Sequence, residues 1–361
     1  MEIINILLIG NDMEYCKALC KSISELSEEI MITLCDKRNI DLLNSDNHSL
    51  LLIEGEKEGK NLQVNDNRVL LVESKKEAYI DIENKIFYLY KYENVKELIR
   101  TLFIIYSAQT GKSVATFSDN NCKLVSVFSS YGGGGKTSIS LGLAQEFVRF
   151  RGKKILYINY EECDGTWNYM DFQSENKYDS IGNYLYYLNK GRELDLKAFL
   201  KEDVYGVSYF KPSLGRNQLK GLCTDDLCKF TNRLIETNQF EYIIFDCHTC
   251  LDDSTLWLLK NSCRIVYLAE NIHNLNADSL NFKDIGVMKF IENKFNSSIK
   301  EKLIKVYNMN QNMDTETKNE ETVVIEMDPD SFQILNGIIK INIERGFGEG
   351  IKSIADRIEN N

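Results

Sequence analysis

Positive charge is in deficit: Lys and Arg number 43 against 54 Asp and Glu, a formal net charge of −11 over 361 residues. That balance argues against a broad, sequence-independent grip on nucleic-acid phosphates, although it leaves a local basic patch open. Long apolar runs are missing too. A membrane-spanning helix needs about 20 consecutive apolar residues, and no stretch approaches that length. The first residues, Met1-Glu2-Ile3-Ile4-Asn5, carry no basic leader, so the expected compartment is the cytoplasm. In the absence of a secretion signal, the ten cysteines read as free thiols and not as a disulfide framework. Cys247-His248-Thr249-Cys250 is the one group that suggests metal or redox chemistry. A cysteine pair is only half a zinc site, so packing is the simpler reading and a metal or iron–sulfur centre the alternative.

Glycine, by contrast, is concentrated in one place. Ser130-Tyr131-Gly132-Gly133-Gly134-Gly135-Lys136-Thr137-Ser138 separates a strand-like run, Leu124 to Phe128, from an amphipathic pattern. In that pattern Ile139, Leu143 and Phe147 recur on one helical face with Ala144 and Val148 beside them, and Gly152 marks the stop. Side-chain-free residues between a strand and a helix let successive backbone N–H groups converge on an anion at the positive end of the helix. The segment Gly132 to Ser138 is therefore a candidate phosphate cradle, with Lys136 reaching the terminal phosphates and the Thr137 hydroxyl on Mg²⁺. Further on, Tyr242-Ile243-Ile244-Phe245 is a buried-strand pattern ending in Asp246. An acid there can orient Mg²⁺ through water opposite Thr137; an ordinary sheet-edge carboxylate is the plainer alternative.

This loop resembles the deviant phosphate loop of the ParA/MinD family of ATPases, whose order is glycine, lysine, glycine, glycine, any residue, glycine, lysine, threonine. Ser130 to Thr137 occupy those positions in this sequence. The resemblance implies ATP and Mg²⁺ as cofactors and a nucleotide-dependent homodimer. The family's signature lysine, which crosses to the partner's nucleotide, falls on Tyr131. A phenol is neutral at pH 7 and does not replace an ammonium opposite developing phosphate charge, so binding is expected to survive better than hydrolysis. By the same resemblance Asn159 and Glu161, after the strand Lys154 to Ile158, match an aspartate pair that positions the attacking water. Glu161 is thus the candidate catalytic residue, and a solvated strand-end glutamate is its alternative. Asn308, after the strand Leu303 to Tyr307, falls where the family's asparagine reads the adenine edge. Asp328-Pro329-Asp330 is a turn placed to cover the base.

The first 112 residues alternate helical patterns with five strand-like runs, Ile4 to Ile9, Met31 to Leu34, Leu50 to Ile53, Val69 to Val72 and Ile86 to Leu89. This layout resembles a response-regulator receiver domain. The matching positions hold Asn11 and Asp12 for the acidic pair, Glu54 for the phosphate-accepting aspartate and Lys91 for the lysine. Glu54 is not the expected acceptor, so the implied role is docking. The expected organisation is α/β throughout: a doubly wound receiver-like domain at 1–112, a linker at 113–121, and a ParA/MinD-type domain with a mainly parallel sheet at 122–361. Within the last, Tyr184, Tyr186 and Tyr187 mark a helix packing on the sheet. Leu222 to Thr237 reads as a helix capped by Thr224, Asn276 to Phe295 as another, and Met313 to Thr322 as an acidic loop. Ile351, Ile354 and Ile358 form a terminal stripe that packs on the domain. The combination resembles the TadZ/CpaE-like family, which implies an ATP-bound dimer recruiting pilus and secretion assembly proteins at the inner face of the membrane. No specific nucleic acid and no integral membrane segment are expected. A ParA-type DNA-partition ATPase and a MinD-like membrane switch are the rival readings.

Overall fold

The computed structural model describes residues 3–27, 29–36, 49–54, 67–82, 84–110, 122–170, 180–192, 195–212, 215–269, 282–295, 299–310 and 322–360. The expected linker, the start of the Asn276 helix and nearly all of the Met313 to Thr322 loop lie outside the described residues. Two compact units divide the chain. One comprises Met1–Thr116, Asn176–Asp179 and Asn183–Phe199; the other comprises Phe117–Glu175, Ser180–Gly182 and Leu200–Asn361.

The first unit begins with β1 (Ile4–Gly10), α1 (Met13–Leu26), β2 (Ile30–Asp36), β3 (Leu50–Glu54), β4 (Arg68–Val72), β5 (Tyr79–Asp81), β6 (Ile86–Tyr90) and α2 (Val95–Thr110). The sheet runs β2-β1-β3-β4-β6-β5, parallel except for the antiparallel edge strand β5. Leaving β5 aside, this is the 2-1-3-4-5 order of a doubly wound sheet. Ile4, Ile6, Leu8, Leu50 and Leu52 are fully enclosed, as strands covered on both faces require. Residues 183–199 join this unit through α2: the Asp195 backbone N–H donates to Ser107 Oγ at 3.0 Å, and Lys197 pairs with Glu29. The expected helix of tyrosines is α4 (Ile181–Asn189). Tyr184 is buried edge-on against Phe199, ring centres 5.3 Å apart, and Tyr186 is exposed.

The second unit contains β7 (Lys123–Ser129), α3 (Lys136–Arg151), β8 (Ile155–Tyr160), β9 (Leu200–Glu202), β10 (Ser208–Phe210), α5 (Thr224–Glu236), β11 (Tyr242–Cys247) and α6 (Asp253–Asn261). It continues through β12 (Arg264–Ala269), α7 (Phe282–Phe295), β13 (Leu303–Asn310), β14 (Thr322–Glu326), the hairpin β15 (Phe332–Leu335) and β16 (Ile338–Ile341), and α8 (Gly346–Glu359). Its sheet is ordered β14-β13-β12-β7-β11-β8-β10-β9 and is parallel apart from β9 on β10. The chain is thus mixed α/β with mainly parallel sheets. The expected α3 face is the core: Ile139, Leu143, Ala144 and Phe147 are fully buried, with Val125, Ile244 and Val266 of the sheet in the same cluster. Gly152 closes α3 in the left-handed conformation, φ 64°, as a C-terminal glycine does. Thr224 is the first residue of α5 and not its cap. Its hydroxyl turns to Ser254 Oγ at 3.1 Å, and Cys223 occupies the cap position without a side-chain bond. The terminal stripe Ile351, Ile354 and Ile358 is buried as expected, with α8 packed against α3 and β14. Among the described residues no helix is long and apolar enough to cross a membrane.

Candidate functional site

The order of the large sheet places β7 between β12 and β11, so the glycine loop leaves the carboxyl end of a central strand where the strand order reverses. Doubly wound sheets hold their ligands at such a point. Register brings three strand ends together: Asp246 of β11 stands opposite Asn159 of β8 and Val127 of β7. The loop then turns directly into α3. Gly135 is the cap of that helix at φ 86°, and a Cβ there would lie 2.4 Å from Asn308 Nδ2. Gly134 is equally confined, since a Cβ on it would sit 2.9 Å from the Tyr131 ring. Glycine is therefore favoured by backbone conformation at 135, and at 133 with its φ of 77°, and by close approach at 134. Gly132 and Gly133 face open space, where a side chain would stand in front of the loop.

Lys136 and Thr137 occupy the first turn of α3 and take different partners. Lys136 is almost enclosed, and its Nζ lies 2.9 Å from Glu161 Oε1. Thr137 Oγ1 donates to Asp246 Oδ2 at 2.6 Å. The same oxygen accepts from Tyr157 OH at 3.1 Å and from Asn159 Nδ2 at 3.2 Å. Asp246 is fully buried, and its other oxygen, Oδ1, has no hydrogen-bond partner among the described residues. Burial pushes the Asp246 carboxyl up to about 7, opposed by the Thr137 hydrogen bond, reinforced by the Glu161 charge and opposed by that of Lys136. An orphan carboxylate oxygen beside a threonine hydroxyl is a donor set that suits a hydrated hard cation, which takes oxygen ligands and keeps several waters.

Asn308 Nδ2 donates to Gly134 O at 2.9 Å, which ties this side chain to the loop backbone. Tyr131 OH donates to Ala269 O at 3.2 Å, which draws the phenol back over the loop. Ser138 Oγ shares a hydrogen bond with Tyr169 OH at 2.9 Å. Asp328 accepts from the Asp330 N–H at 3.1 Å and from Ser331 Oγ at 2.8 Å. With Pro329 it shapes the turn ahead of β15, and its carboxyl stands against Gly346 at the start of α8. The structure thus brings Gly134, Gly135, Lys136, Thr137, Glu161, Asp246 and Asn308 together, while the contacts described for Asp328 and Pro329 are within their own turn and with Gly346.

Tyr157 was not singled out by sequence. The available signal was strand alternation: Tyr157 and Asn159 are two apart on β8 and face one side, toward Asp246. Asn217 secures the same edge by donating to Asn159 O at 2.9 Å. The cysteine pair does not form a site. Cys247 is buried and Cys250 exposed, and the Cys250 N–H donates to His248 Nδ1 at 3.1 Å. Among the described residues no three His, Cys, Asp or Glu side chains gather as a metal would need, and all ten cysteines are free.

In the first unit Glu54 ends β3 and is nearly enclosed. Its Oε2 accepts the backbone N–H groups of Asn11 at 2.8 Å and Asp12 at 2.9 Å, and its Oε1 pairs with Lys91. Burial alone raises this carboxyl, but hydrogen bonds from Lys91, Asp12 and Asn11 hold it below the ordinary glutamate value. The position matching a phosphate acceptor is therefore filled by an internal ion pair.

What these features define is a doubly wound α/β unit with a glycine loop between a central strand and its helix, and an acid on the neighbouring strand. Solved structures with related chain traces include a cobyrinic acid a,c-diamide synthase from Mycobacterium smegmatis with bound ATP analog and magnesium, at 15% identity over 65% of this chain and 93% of that one, TM-score 0.44. A ParA family ATPase from Chlorobium tepidum shares 12% identity over 64% of this chain and 91% of its own, TM-score 0.45. A putative plasmid partition protein from Borrelia burgdorferi bound to AMPPNP shares 15% over 66% and 99%, TM-score 0.44. At these identities and scores the likenesses carry no functional argument. No family model and no curated protein matches the chain.

Proposed function

We propose that the second unit binds ATP with Mg²⁺ in the glycine loop and that nucleotide occupancy controls self-association, with weak or absent hydrolysis. The observation that carries this reading is the Thr137–Asp246 contact across the loop mouth, with Asp246 Oδ1 left without a partner. Backbone N–H groups of Gly132 to Ser138 hold phosphate oxygens, and Lys136 leaves Glu161 to meet the terminal phosphates. Thr137 and Asp246 would hold Mg²⁺, which supplies neutralisation of phosphate charge when bound. Asn159 and Tyr157 keep Asp246 in place from behind. Once Lys136 has moved away, Glu161 would accept a hydrogen bond from the attacking water, while Tyr131 offers no cation to a partner's nucleotide; slow turnover follows.

The union of a receiver-like unit with such a module is the arrangement of the TadZ/CpaE-like family. On that resemblance the protein is a cytoplasmic localisation factor that recruits assembly proteins of a Flp-type pilus secretion system, using the first unit for docking. The closed Glu54–Lys91 pair supports docking over phosphosignalling. A DNA-partition ATPase is the second reading, opposed by the net charge of −11; it predicts ATP-dependent, salt-sensitive binding to arbitrary duplex DNA.

The deciding experiment is sizing chromatography with and without ATP and Mg²⁺. The expected result is a shift from monomer toward dimer that Lys136→Ala abolishes. A wild-type profile that nucleotide leaves unchanged would overturn gated self-association.

A further inference from the structure

Gly134 is fastened to two neighbouring strands of the large sheet. Its carbonyl oxygen accepts from Asn308 Nδ2 of β13 at 2.9 Å, and its α-carbon lies against the ring of Tyr131, whose hydroxyl is tied to Ala269 O of β12 at 3.2 Å. The nearest backbone hydrogen bond of α3 runs from the Ile139 N–H to Gly135 O at 2.9 Å, one carbonyl further on. The peptide between Gly134 and Gly135 is trans, and across a trans peptide the C=O and N–H point in opposite directions. Anchoring Gly134 O therefore turns the Gly135 N–H away from Asn308. Among the described residues the N–H groups of Gly132, Gly133, Gly134 and Gly135 have no hydrogen-bond acceptor.

That peptide plane needs a restraint. It has glycine on both sides, so little steric resistance opposes turning it over. A flipped plane would exchange the N–H for a carbonyl oxygen and set partial negative charge where a phosphate oxygen has to sit. The backbone of β13 is bent in a way that supplies the restraint. β13 and β14 are in register at Tyr307 with Val324 and again at Asn310 with Glu326, so Asn308 and Met309 oppose the single residue Ile325. This is a β-bulge, a device that re-aims a side chain beside a functional site. Met309 is held in the left-handed region at φ 57°, a strained place for a residue with a side chain, and such strain gathers where the surroundings over-determine a functional group. Asn308 itself is only 9% exposed, which limits competition from water for its bond to the loop.

We propose that Asn308 is a positioning residue of the loop: its amide holds the Gly134 carbonyl out of the cradle and keeps the Gly135 N–H in the row that grips phosphate, so that it serves the polyphosphate and not the base. This rests on the loop being an ATP site. The test is calorimetry on the full chain with Mg²⁺, titrating ATP and, separately, tripolyphosphate into wild type and Asn308→Ala. Wild type should bind both. Asn308→Ala should weaken both about tenfold, through loss of one hydrogen bond and of the orientation it enforces; a residue that reads the base would weaken ATP and leave tripolyphosphate within about twofold. In the ligand-free variant the ¹⁵N-glycine spectrum should show the Gly135 amide displaced, a signature that a general loss of stability does not produce. A structure of wild type with a non-hydrolysable ATP analogue and Mg²⁺ should show Asn308 Nδ2 still on Gly134 O, which keeps the proposal testable if Asn308→Ala does not fold. Loss of ATP affinity alone, two unchanged affinities, ATP bound but tripolyphosphate not, an unmoved Gly135 signal, or an Asn308 amide that has left Gly134 O in the bound structure would each overturn the proposal. A wild type that binds neither ligand would instead refute the phosphate reading of the loop, and this role with it.

Discussion

Replacing Glu161 with glutamine should tighten nucleotide binding, although glutamate at this position is the candidate catalytic group. Lys136 and Glu161 face each other at 2.9 Å, with 5% and 28% of their side chains exposed. A phosphate oxygen that takes Lys136 has to displace the carboxylate first. At that separation, with an effective dielectric constant of about 20, the Coulomb attraction is about 6 kcal/mol. Desolvation of the enclosed ammonium and the access of Glu161 to water offset most of it, leaving about 1–2 kcal/mol of competition. Glu161→Gln should then bind ATP with Mg²⁺ about 5–30-fold more tightly. A fluorescent ATP analogue titrated into wild type, Glu161→Gln and Lys136→Ala measures this directly, with Lys136→Ala expected to lose binding. Residual hydrolysis should fall in Glu161→Gln even as affinity rises, because the water-positioning carboxylate is gone. Equal or weaker binding by Glu161→Gln would refute the idea that the free protein holds its own lysine in check.

Other outcomes follow from buried charge and from packing. The Asp246 carboxyl sits at about 7 in the folded protein against an ordinary 3.8. The folded state therefore holds a proton that the unfolded chain has lost between those values, and stability falls as pH rises through that window. Asp246→Asn should gain stability over wild type from pH 5 to pH 8, by about 1–3 kcal/mol at the upper end, read from denaturant midpoints without nucleotide; a gain independent of pH would contradict the assignment. Glu54→Ala leaves the enclosed ammonium of Lys91 only its longer, 3.8 Å contact with Asp12 and should cost the first unit about 3 kcal/mol, with Lys91→Met restoring part of it in the double variant; additive losses would show that the two do not act as a pair. Ile354→Ala, in the face shared by α8, α3 and β14, should destabilise the second unit by about 2–4 kcal/mol in the same melts.

The strands of both sheets were legible because buried parallel strands read as short, mostly apolar runs: Ile4 to Ile9, Leu50 to Ile53, Tyr242 to Phe245 and Leu303 to Tyr307 all became strands near their expected bounds. Three-residue strands such as β5, β9 and β10 were not legible, since their pairing is decided by neighbours distant in sequence. The helix α6 escaped notice for another reason. Asp252 caps it by accepting the Thr255 N–H at 2.7 Å, but nine residues give too short a pattern to stand out. The glycine loop was plain from its composition. The partners of Lys136 and Asn308 were not, because each answers to a residue brought near only by the fold, Glu161 in one case and Gly134 in the other.

Helix α8 bears on how such a protein could reach a membrane. Phe347, Ile351, Ile354 and Ile358 are each at most 2% exposed, so the greasy side of this amphipathic segment is already spent inside the molecule. Handing those four side chains to a lipid surface would first strip them from α3 and β14, forfeiting about 6–12 kcal/mol, as much as an entire domain commonly has to spare. Attachment at a bilayer, where it occurs, has to run through some other face or through an adaptor, because peeling this segment away would uncover the very rod that carries the glycine loop.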